Sequence, residues 1–368
     1  MNKRIVFAAA GTAGHLEPAL AVARWLRTHN PEISCEFISS NQGVEERLLG
    51  SESFPVHTIT KAALPRRLSG QALLWPVKFL QSVLQVRSAL RGADAVIGFG
   101  GYICAPVYLV SKLLGIPMLA HEANVLPGWA NKLGVRLGAE PLLAFGATRR
   151  IDKLFAHGKI VGLPLRGAMY ENATLSPQTI RVQRDEWLSG LGLDSSKKVI
   201  LVFGGSLGAR SMNSVLADAK HELTRANFQI VHAVGGKNEL PPTSQGYVPL
   251  SYIEDMARAM QSADLVVSRS GAVTCAELVE LGKYALLIPL EIGNGEQKFN
   301  ASELESVGLA TVVANSGFTS HYLSANIIRL MKAAEDATSL DLSQLRHPHA
   351  TEAIGYELLA AATRGNKR

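Results

Sequence analysis

The sequence predicts an α/β protein made of two tandem domains, each with a parallel sheet. Three observations carry this reading. First, the opening KRIVFAAAGTAGHLEPALAVARWLR and the later stretch KKVILVFGGSLGARSMNSVLADAKHEL, from Lys197, share one plan: a basic pair, a short apolar strand, a glycine turn and an amphipathic helix. Second, a length of 368 residues suits two domains that each bury a core without staples. Third, the stretch from Ala263 to Ala301 reads as strand, turn, helix, strand, glycine-rich loop and helix start. Units of this kind in a parallel sheet aim loop residues and the positive end of a helix dipole at one crevice, where backbone N–H groups hold anions.

In chain order, the first domain starts with the strand after Lys3-Arg4 and turns through Gly11 and Gly14. It continues through a strand at Ala95 to Gly98, the loop Gly100-Gly101-Tyr102, a strand at Pro117 to His121 and the loop Glu122 to Gly128. Gly162-Leu163-Pro164 and the polar ENATLSPQT mark a hinge before the second domain. There the stretch from Ala263 resolves into a buried strand at Leu265 to Val267, a turn at Ser268 to Gly271, a helix at Ala272 to Leu281 and a strand at Ala285 to Pro289. Thr351 to Thr363 reads as a terminal helix, and Arg364 to Arg368 as a frayed basic end.

Composition excludes several classes. Hydrophobic residues make up 47% and charged ones 18%, so disorder is not indicated. The three cysteines, Cys35, Cys104 and Cys275, form no Cys-x-x-Cys pair, which argues against a disulfide framework or zinc site and fits a reducing cytoplasm. In that setting the Asn172 sequon has no role. The apolar run after Lys3-Arg4 is too short for a signal peptide, and no stretch approaches the ~18 to 20 residues of a spanning helix. The net charge of +6 is concentrated. Between Ser53 and Ala93 there is no acid, while Lys61, Arg66, Arg67, Lys78, Arg87 and Arg91 surround Leu73, Leu74, Trp75 and Phe79. Basic side chains around apolar ones suit an anionic lipid surface, each cation there being worth about 1 kcal/mol. A core helix or a nucleic-acid stripe would share the charge, but no nucleic-acid module accompanies it.

The chemistry lies in the turns. In the second domain, Arg269 supplies fixed charge, Ser270 and Thr274 hydroxyls, and Glu277 a carboxylate one turn into the helix for vicinal hydroxyls such as a ribose. Gln297 and Asn300 follow at the next helix start. Each alone also serves as ordinary capping or surface polarity; the set points to a phosphate site. Neither glycine turn has G-x-G-x-x-G spacing, and Cys35 to Gln42 lacks a strand-end acid for a ribose, so a nicotinamide enzyme is disfavoured. Gly204-Gly205-Ser206-Leu207-Gly208 matches G-x-S-x-G, which raises a hydrolase with Ser206 as nucleophile and His232, His321, His347 or His349 as base. His15, beside Thr12, is placed to accept a proton. With no Asp-x-Asp motif to hold a metal, a departing diphosphate needs helix dipoles and side chains.

Set side by side, AGTAGHLEPAL, GFGGY, HEAN, GLPLR, GGSLGAR, YIEDM, SRSGAVTCAE and the Gln297, Asn300, Ala301 group follow the order and spacing of one family over nearly the whole chain. The sequence resembles the MurG family of UDP-N-acetylglucosamine transferases of lipid-linked peptidoglycan synthesis. The resemblance implies a GT-B fold, two Rossmann-like domains facing a deep interdomain cleft. The first would span residues 1–163, with a terminal helix of about 346–368 packing back on it, and the second 164–345. It implies inverting transfer of GlcNAc from UDP-GlcNAc to the MurNAc C4 hydroxyl of undecaprenyl-diphosphoryl-MurNAc-pentapeptide, lipid I, giving lipid II. Implied roles are His15 as base and Tyr102 on the acceptor side. Glu277 would hold the ribose, the Ile253 backbone the uracil, and Ser206 with Ala272, Val273, Thr274, Cys275 and Ala276 the diphosphate. Asn124, Arg166 and Gln297 would contact the donor sugar or its phosphates, with Thr12, Ala13 and Gly14 closing over them. Arg66, Arg67, Leu74, Trp75, Lys78 and Phe79 would form a membrane patch, extended by Trp129, Lys132 and Arg136.

Implied partners are UDP-GlcNAc, the undecaprenyl-diphosphate-linked acceptor, an anionic membrane surface and other cell-wall synthesis proteins. No cofactor, no metal at the diphosphate and no nucleic acid are expected, and the location is peripheral, on the cytoplasmic face of the inner membrane. Ala10 and Ala13 stand where the family's turn has glycines, and Ala13 adds a Cβ beside the acceptor diphosphate. Ala123 and Leu207 stand where Gln is common, and Glu17 adds an acid on the acceptor side. Glu296 replaces a neutral or basic residue and is expected to repel the donor. These departures keep a non-catalytic lipid-head-group or scaffold protein as the alternative.

Overall fold

The computed structural model describes residues 3–11, 13–40, 44–62, 75–205, 208–291 and 294–365. The chain divides into two compact units, Met1–Arg166 with His347–Arg368, and Gly167–Arg346.

The first unit runs β1 (Arg4–Ala8), α1 (Ala13–His29), β2 (Ser34–Ser39), α2 (Val44–Gly50), β3 (Val56–Thr58), α3 (Trp75–Ala89), β4 (Ala95–Gly98), α4 (Cys104–Leu114), β5 (Met118–Glu122), α5 (Trp129–Arg136), β6 (Glu140–Leu143), α6 (Thr148–Ile151) and β7 (Lys159–Ile160). The second runs α7 (Gly167–Ala173), α8 (Pro177–Gly190), β8 (Val199–Phe203), α9 (Arg210–Arg225), β9 (Gln229–Ala233), β10 (Tyr247–Leu250), α10 (Met256–Ser262), β11 (Leu265–Ser268), α11 (Ala272–Leu281), β12 (Ala285–Leu287), α12 (Glu296–Ser306), β13 (Ala310–Val312) and α13 (Ser320–Asp336). The chain then returns to the first unit as α14 (Ala350–Gly365).

Both sheets are parallel, ordered β3-β2-β1-β4-β5-β6-β7 and β10-β9-β8-β11-β12-β13. Helices cover both faces of a parallel sheet, so its central strands are nearly continuous apolar runs, as RIVFA, AVIG, VILVF and LVVS are apart from Arg4 and Ser268 at their ends. Period-two alternation sends Ile5 and Phe7 to one core with Leu16, Leu20 and Phe37, and Val6 and Ala8 to another with Val86, Val96 and Val107. Ile354 and Leu358 of α14 complete the first of these cores. Gly355 lets α14 close on α1, since a Cβ there would sit 2.4 Å from the Trp25 ring.

In each sheet the strand order reverses once, at β1/β4 and at β8/β11. At such a switch point the loops leaving neighbouring strands diverge and leave a crevice at the carboxyl ends. Some expected boundaries move. The strand expected at Pro117 to His121 is Met118–Glu122, and the terminal helix is longer than Thr351 to Thr363. The strand from Ala285 ends at Leu287, just before Pro289, which has no N–H for the ladder. ENATLSPQT is mostly helix: Glu171 to Ala173 end α7, and Ser176 caps α8 by accepting the Thr179 N–H, with Pro177 in its first turn.

Candidate functional site

At the β8/β11 switch point the second unit presents helix ends without side-chain caps. α9, α11 and α12 follow Ala209, Gly271 and Gly295, and none of their starts has a side-chain cap. The same unit does cap α8, α10 and α13, with Ser176, Asp255 and Thr319. In α11 the first intrahelical bond is Cys275 N–H to the Gly271 carbonyl, 2.9 Å, so the N–H groups of Ala272, Val273 and Thr274 point out of the helix start. Uncapped N–H groups and the helix dipole make an anion site.

Arg269 braces this crevice instead of projecting into it. It is 8% exposed, and Nη1 donates to the carbonyls of Ile288 (3.0 Å) and Pro289 (3.4 Å). Its Nη2 donates to Ser211 Oγ and Asn315 Oδ1, both 2.8 Å, and Nε has no partner. Burial pushes the guanidinium below its usual value, with Glu291 opposing. The fixed positive charge expected of Arg269 is present, held behind the α9 start. Ser270 and Asn300 do not offer their side chains to the crevice as expected. Both are fully buried; the Ser270 hydroxyl donates to the Gln297 carbonyl (2.9 Å), and Asn300 Nδ2 to the Ser270 carbonyl (3.3 Å). The Cys275 thiol is in the core, so neither it nor its N–H faces a ligand.

Gln297 is better placed. Its Oε1 accepts the Leu290 N–H at 2.9 Å, which leaves the amide nitrogen to donate elsewhere. Glu277 is 5% exposed within α11. The Ile253 side chain is buried, while its backbone N–H and C=O have no partner among the described residues. Glu296 opens α12, where the dipole favours an anion, and its Oε2 is buried without a partner. Ser206 and Leu207 lie outside the described residues; at Gly208 a Cβ would fall 2.0 Å from the Val234 carbonyl oxygen. For the hydrolase reading, His232 is buried between Tyr247 Oη and Asn213 Oδ1, 3.0 Å each, and burial holds it at about 4. Among the described residues, His349 alone of the four pairs with an acid, Glu352 at 3.5 Å on an exposed helix start. Among the described residues none of these histidines has the buried acid that orients a catalytic base.

At the β1/β4 switch point the first unit carries proton-handling groups. His15, half-buried, donates from Nδ1 to the Ala10 carbonyl at 3.0 Å, so Nε2 is the ring's basic nitrogen. Gly100 and Gly101, after β4, have φ of 101° and 86°. A Cβ on Gly100 would stand 3.1 Å from His15 Nε2, and one on Gly101 2.4 Å from the Ala10 oxygen. The loop after β4 is thus glycine because it lies against the turn after β1. His121, fully buried, donates from Nε2 to the Gly162 carbonyl (2.9 Å), and Nδ1 has no partner. Burial, with His15 nearby, lowers it to about 4. Tyr102 is half-buried; its hydroxyl leans towards Ser40 without forming a hydrogen bond, and burial raises it above an ordinary phenol.

Sequence reasoning missed the groups that hold these loops. The Glu122 carboxylate accepts the N–H of Asn124 (3.0 Å), the N–H of Gly128 (2.9 Å) and Asn131 Nδ2 (3.0 Å), which fixes the loop carrying Asn124. Glu45 does the same for the turn at Gly11. Arg166 is exposed at the end of the first unit, Glu17 is half-exposed, and Thr12 and the Ala13 side chain are outside the described set.

Of the basic and apolar patch, Arg66, Arg67 and Leu74 lie outside the described residues. Trp75 and Phe79 stack on each other at 5.1 Å, Trp75 Nε1 donates to the Ala62 carbonyl, and both are half-buried. The outward apolar residues of α3 are instead Val77, Leu80 and Leu84, 59–61% exposed, beside exposed Lys78 and Arg87. Leu113 of α4 and Trp129 of α5 are also exposed, whereas Lys132 pairs with Asp152 at 2.9 Å. Among the described residues no helix is long and apolar enough to cross a membrane.

Residues 5–140 match the glycosyltransferase family 28 N-terminal domain and 199–351 its C-terminal domain. A Corynebacterium glutamicum (strain R) protein named UDP-N-acetylglucosamine–N-acetylmuramyl-(pentapeptide) pyrophosphoryl-undecaprenol N-acetylglucosamine transferase is 41% identical over 87% of either chain. The protein of that name from Frankia casuarinae is 38% identical over 100% of this chain and 98% of its own. Among solved structures, MurG of Acinetobacter baumannii superimposes with a TM-score of 0.75 at 27% identity, covering 97% of this chain and 99% of that one. The UDP-GlcNAc 2-epimerase of Neisseria meningitidis, at 0.65 and 14% identity over 97% and 100%, shares the fold. With both domains matched in order and relatives this similar along its length, the chain belongs to the MurG family of glycosyltransferases.

Proposed function

We propose that this protein transfers GlcNAc from UDP-GlcNAc to the C4 hydroxyl of the MurNAc unit of lipid I, with inversion, forming lipid II in peptidoglycan synthesis. The family carries the activity. The observation that supports it in this chain is His15, whose Nδ1–H is held by the Ala10 carbonyl so that Nε2 is the proton acceptor at a switch point. In the step, the acceptor C4 oxygen gives its proton to Nε2 and attacks the anomeric carbon opposite the nucleotide. The new C–O bond forms as the bond to the UDP oxygen breaks, and UDP leaves with the electron pair.

In this reading the donor belongs to the second unit. The N–H groups of Ala272, Val273 and Thr274, with Ser206, receive the diphosphate, and buried Arg269 supplies the background charge. Glu277 takes the ribose hydroxyls, the Ile253 backbone the uracil, and the Gln297 amide the sugar, joined by Asn124 and Arg166. Charge neutralisation by helix ends and Arg269 is the basis for proposing transfer without a metal. Thr12 to Gly14 are proposed to close over the donor, and Tyr102 belongs to the acceptor side. The outer face of α3, with Val77, Leu80 and Leu84 beside Lys78 and Arg87, is proposed to rest on the anionic cytoplasmic leaflet that holds the acceptor's lipid tail.

The test is a transfer assay with purified protein, labelled UDP-GlcNAc and a lipid I analogue. A β-linked, lipid-borne disaccharide is expected. Binding of UDP-GlcNAc without turnover would overturn the activity in favour of a scaffold on the same fold.

A further inference from the structure

Glu45 lies in the first turn of α2, close after the second strand, and is 4% exposed. Its carboxylate accepts four hydrogen bonds. Oε1 takes the Gly11 N–H at 2.8 Å; Oε2 takes the Ser39 hydroxyl (2.5 Å), the Ser40 N–H (2.9 Å) and the Ser40 hydroxyl (2.8 Å). One buried acid thus ties the turn after β1 to the end of β2. Gly11 has a φ of 101° and follows Ala10, whose carbonyl holds His15.

We infer that Glu45 is a positioning residue for the transfer: by fixing the Gly11 turn it fixes Ala10, and through the Ala10 carbonyl the aim of His15 Nε2. The inference rests on the proposed role of His15. Its basis is the demand that Glu45's partners make. Every one of them donates, and two are backbone N–H groups that cannot rotate to accept. A carboxylate satisfies both with one oxygen each. An amide of the same shape cannot, because its nitrogen faces one of the two N–H groups and leaves that N–H unpaired. Among the described residues every partner of Glu45 donates to it, so its part is geometric.

The experiment compares wild type, Glu45→Gln and Ser40→Ala in the full-length protein, measuring kcat, KM for UDP-GlcNAc, and UDP affinity by calorimetry. Ser40→Ala removes one hydroxyl donor and leaves both backbone bonds, so it keeps the fold if Glu45→Gln does not. Expected are a fall in kcat of roughly 10- to 100-fold for Glu45→Gln and a smaller fall, at least about twofold, for Ser40→Ala. In both, UDP affinity stays within about twofold of wild type, because the residues proposed to hold the nucleotide belong to the second unit and are untouched. A merely structural role would lower the active fraction and the melting temperature while leaving kcat per folded molecule unchanged, and that result in either variant would overturn the inference. If wild type itself does not transfer the sugar, the proposed function fails first, which separates the two.

Discussion

At the β1/β4 crossing the groups that brace the loops are carboxylates, Glu45 beneath Gly11 and Glu122 beneath Asn124 and Gly128. At the β8/β11 crossing the brace is the guanidinium of Arg269, helped by the amides of Asn300 and Gln297. The topology of the two places is the same and the electrostatics are opposite. Acids consume backbone N–H groups, so the first crevice has fewer donors left for an anion and carries two imidazoles instead. Arg269 consumes carbonyls and leaves the helix N–H groups open, so the second suits a diphosphate. In the proposed reading, one sheet architecture serves a proton in one unit and an anion in the other.

The largest effect that would test this contrast is at His15. Replacing it with Ala is expected to lower kcat by roughly 10²- to 10⁴-fold with the melting temperature preserved, because the ring is half-exposed. In the second unit, Arg269→Ala is expected to cost about 3 kcal/mol of stability in denaturant titrations. It leaves buried carbonyls, Ser211 and Asn315 without their donor, and Lys does not restore the fork. Glu277→Gln should raise KM for UDP-GlcNAc roughly tenfold with little change in kcat, the mark of binding lost equally in ground and transition states.

A smaller effect belongs to the membrane face. Lys78→Gln with Leu80→Gln should weaken binding to anionic vesicles in sedimentation assays by about tenfold, the sum of one cation and part of one buried side chain. Unchanged binding would remove α3 from the proposal. The smallest is acid stability at the amino ends of β1 and β2. There Arg4, hydrogen-bonded at 2.7 Å, with burial opposing and His57 adding, holds Glu36 at about 2. Because the folded value lies below the unfolded one of 4.5, the contribution is present above about pH 4.5 and lost as pH falls towards 2. After allowance for solvent screening, wild type should exceed Glu36→Gln by about 1 kcal/mol at pH 7, and by little near pH 2.

Much of this contrast was legible before any coordinates. Glycine turns after apolar strands, and a helix from Ala272 to Leu281, follow from local pattern, and the helix came out with those limits. The bracing groups were not legible, because their partners are distant backbone atoms. Glu45 stands shortly after Cys35 to Gln42, where an acid for a ribose was sought and found missing; its carboxylate turns inward to the Gly11 turn. Sequence shows the charge of Arg269 but not the carbonyls of Ile288 and Pro289 that close over it. Trp75 and Phe79 read as the membrane anchors because aromatic content is visible and helix phase is not. The phase of α3 turns Val77, Leu80 and Leu84 outward and folds the two rings onto each other.

The division of labour is tested most directly by measuring UDP-GlcNAc affinity and turnover side by side for His15→Ala. The account predicts a dissociation constant within about twofold of wild type together with loss of turnover, since the proton and the anion are handled by different units. Donor affinity lost along with turnover, or turnover close to wild type, would contradict it.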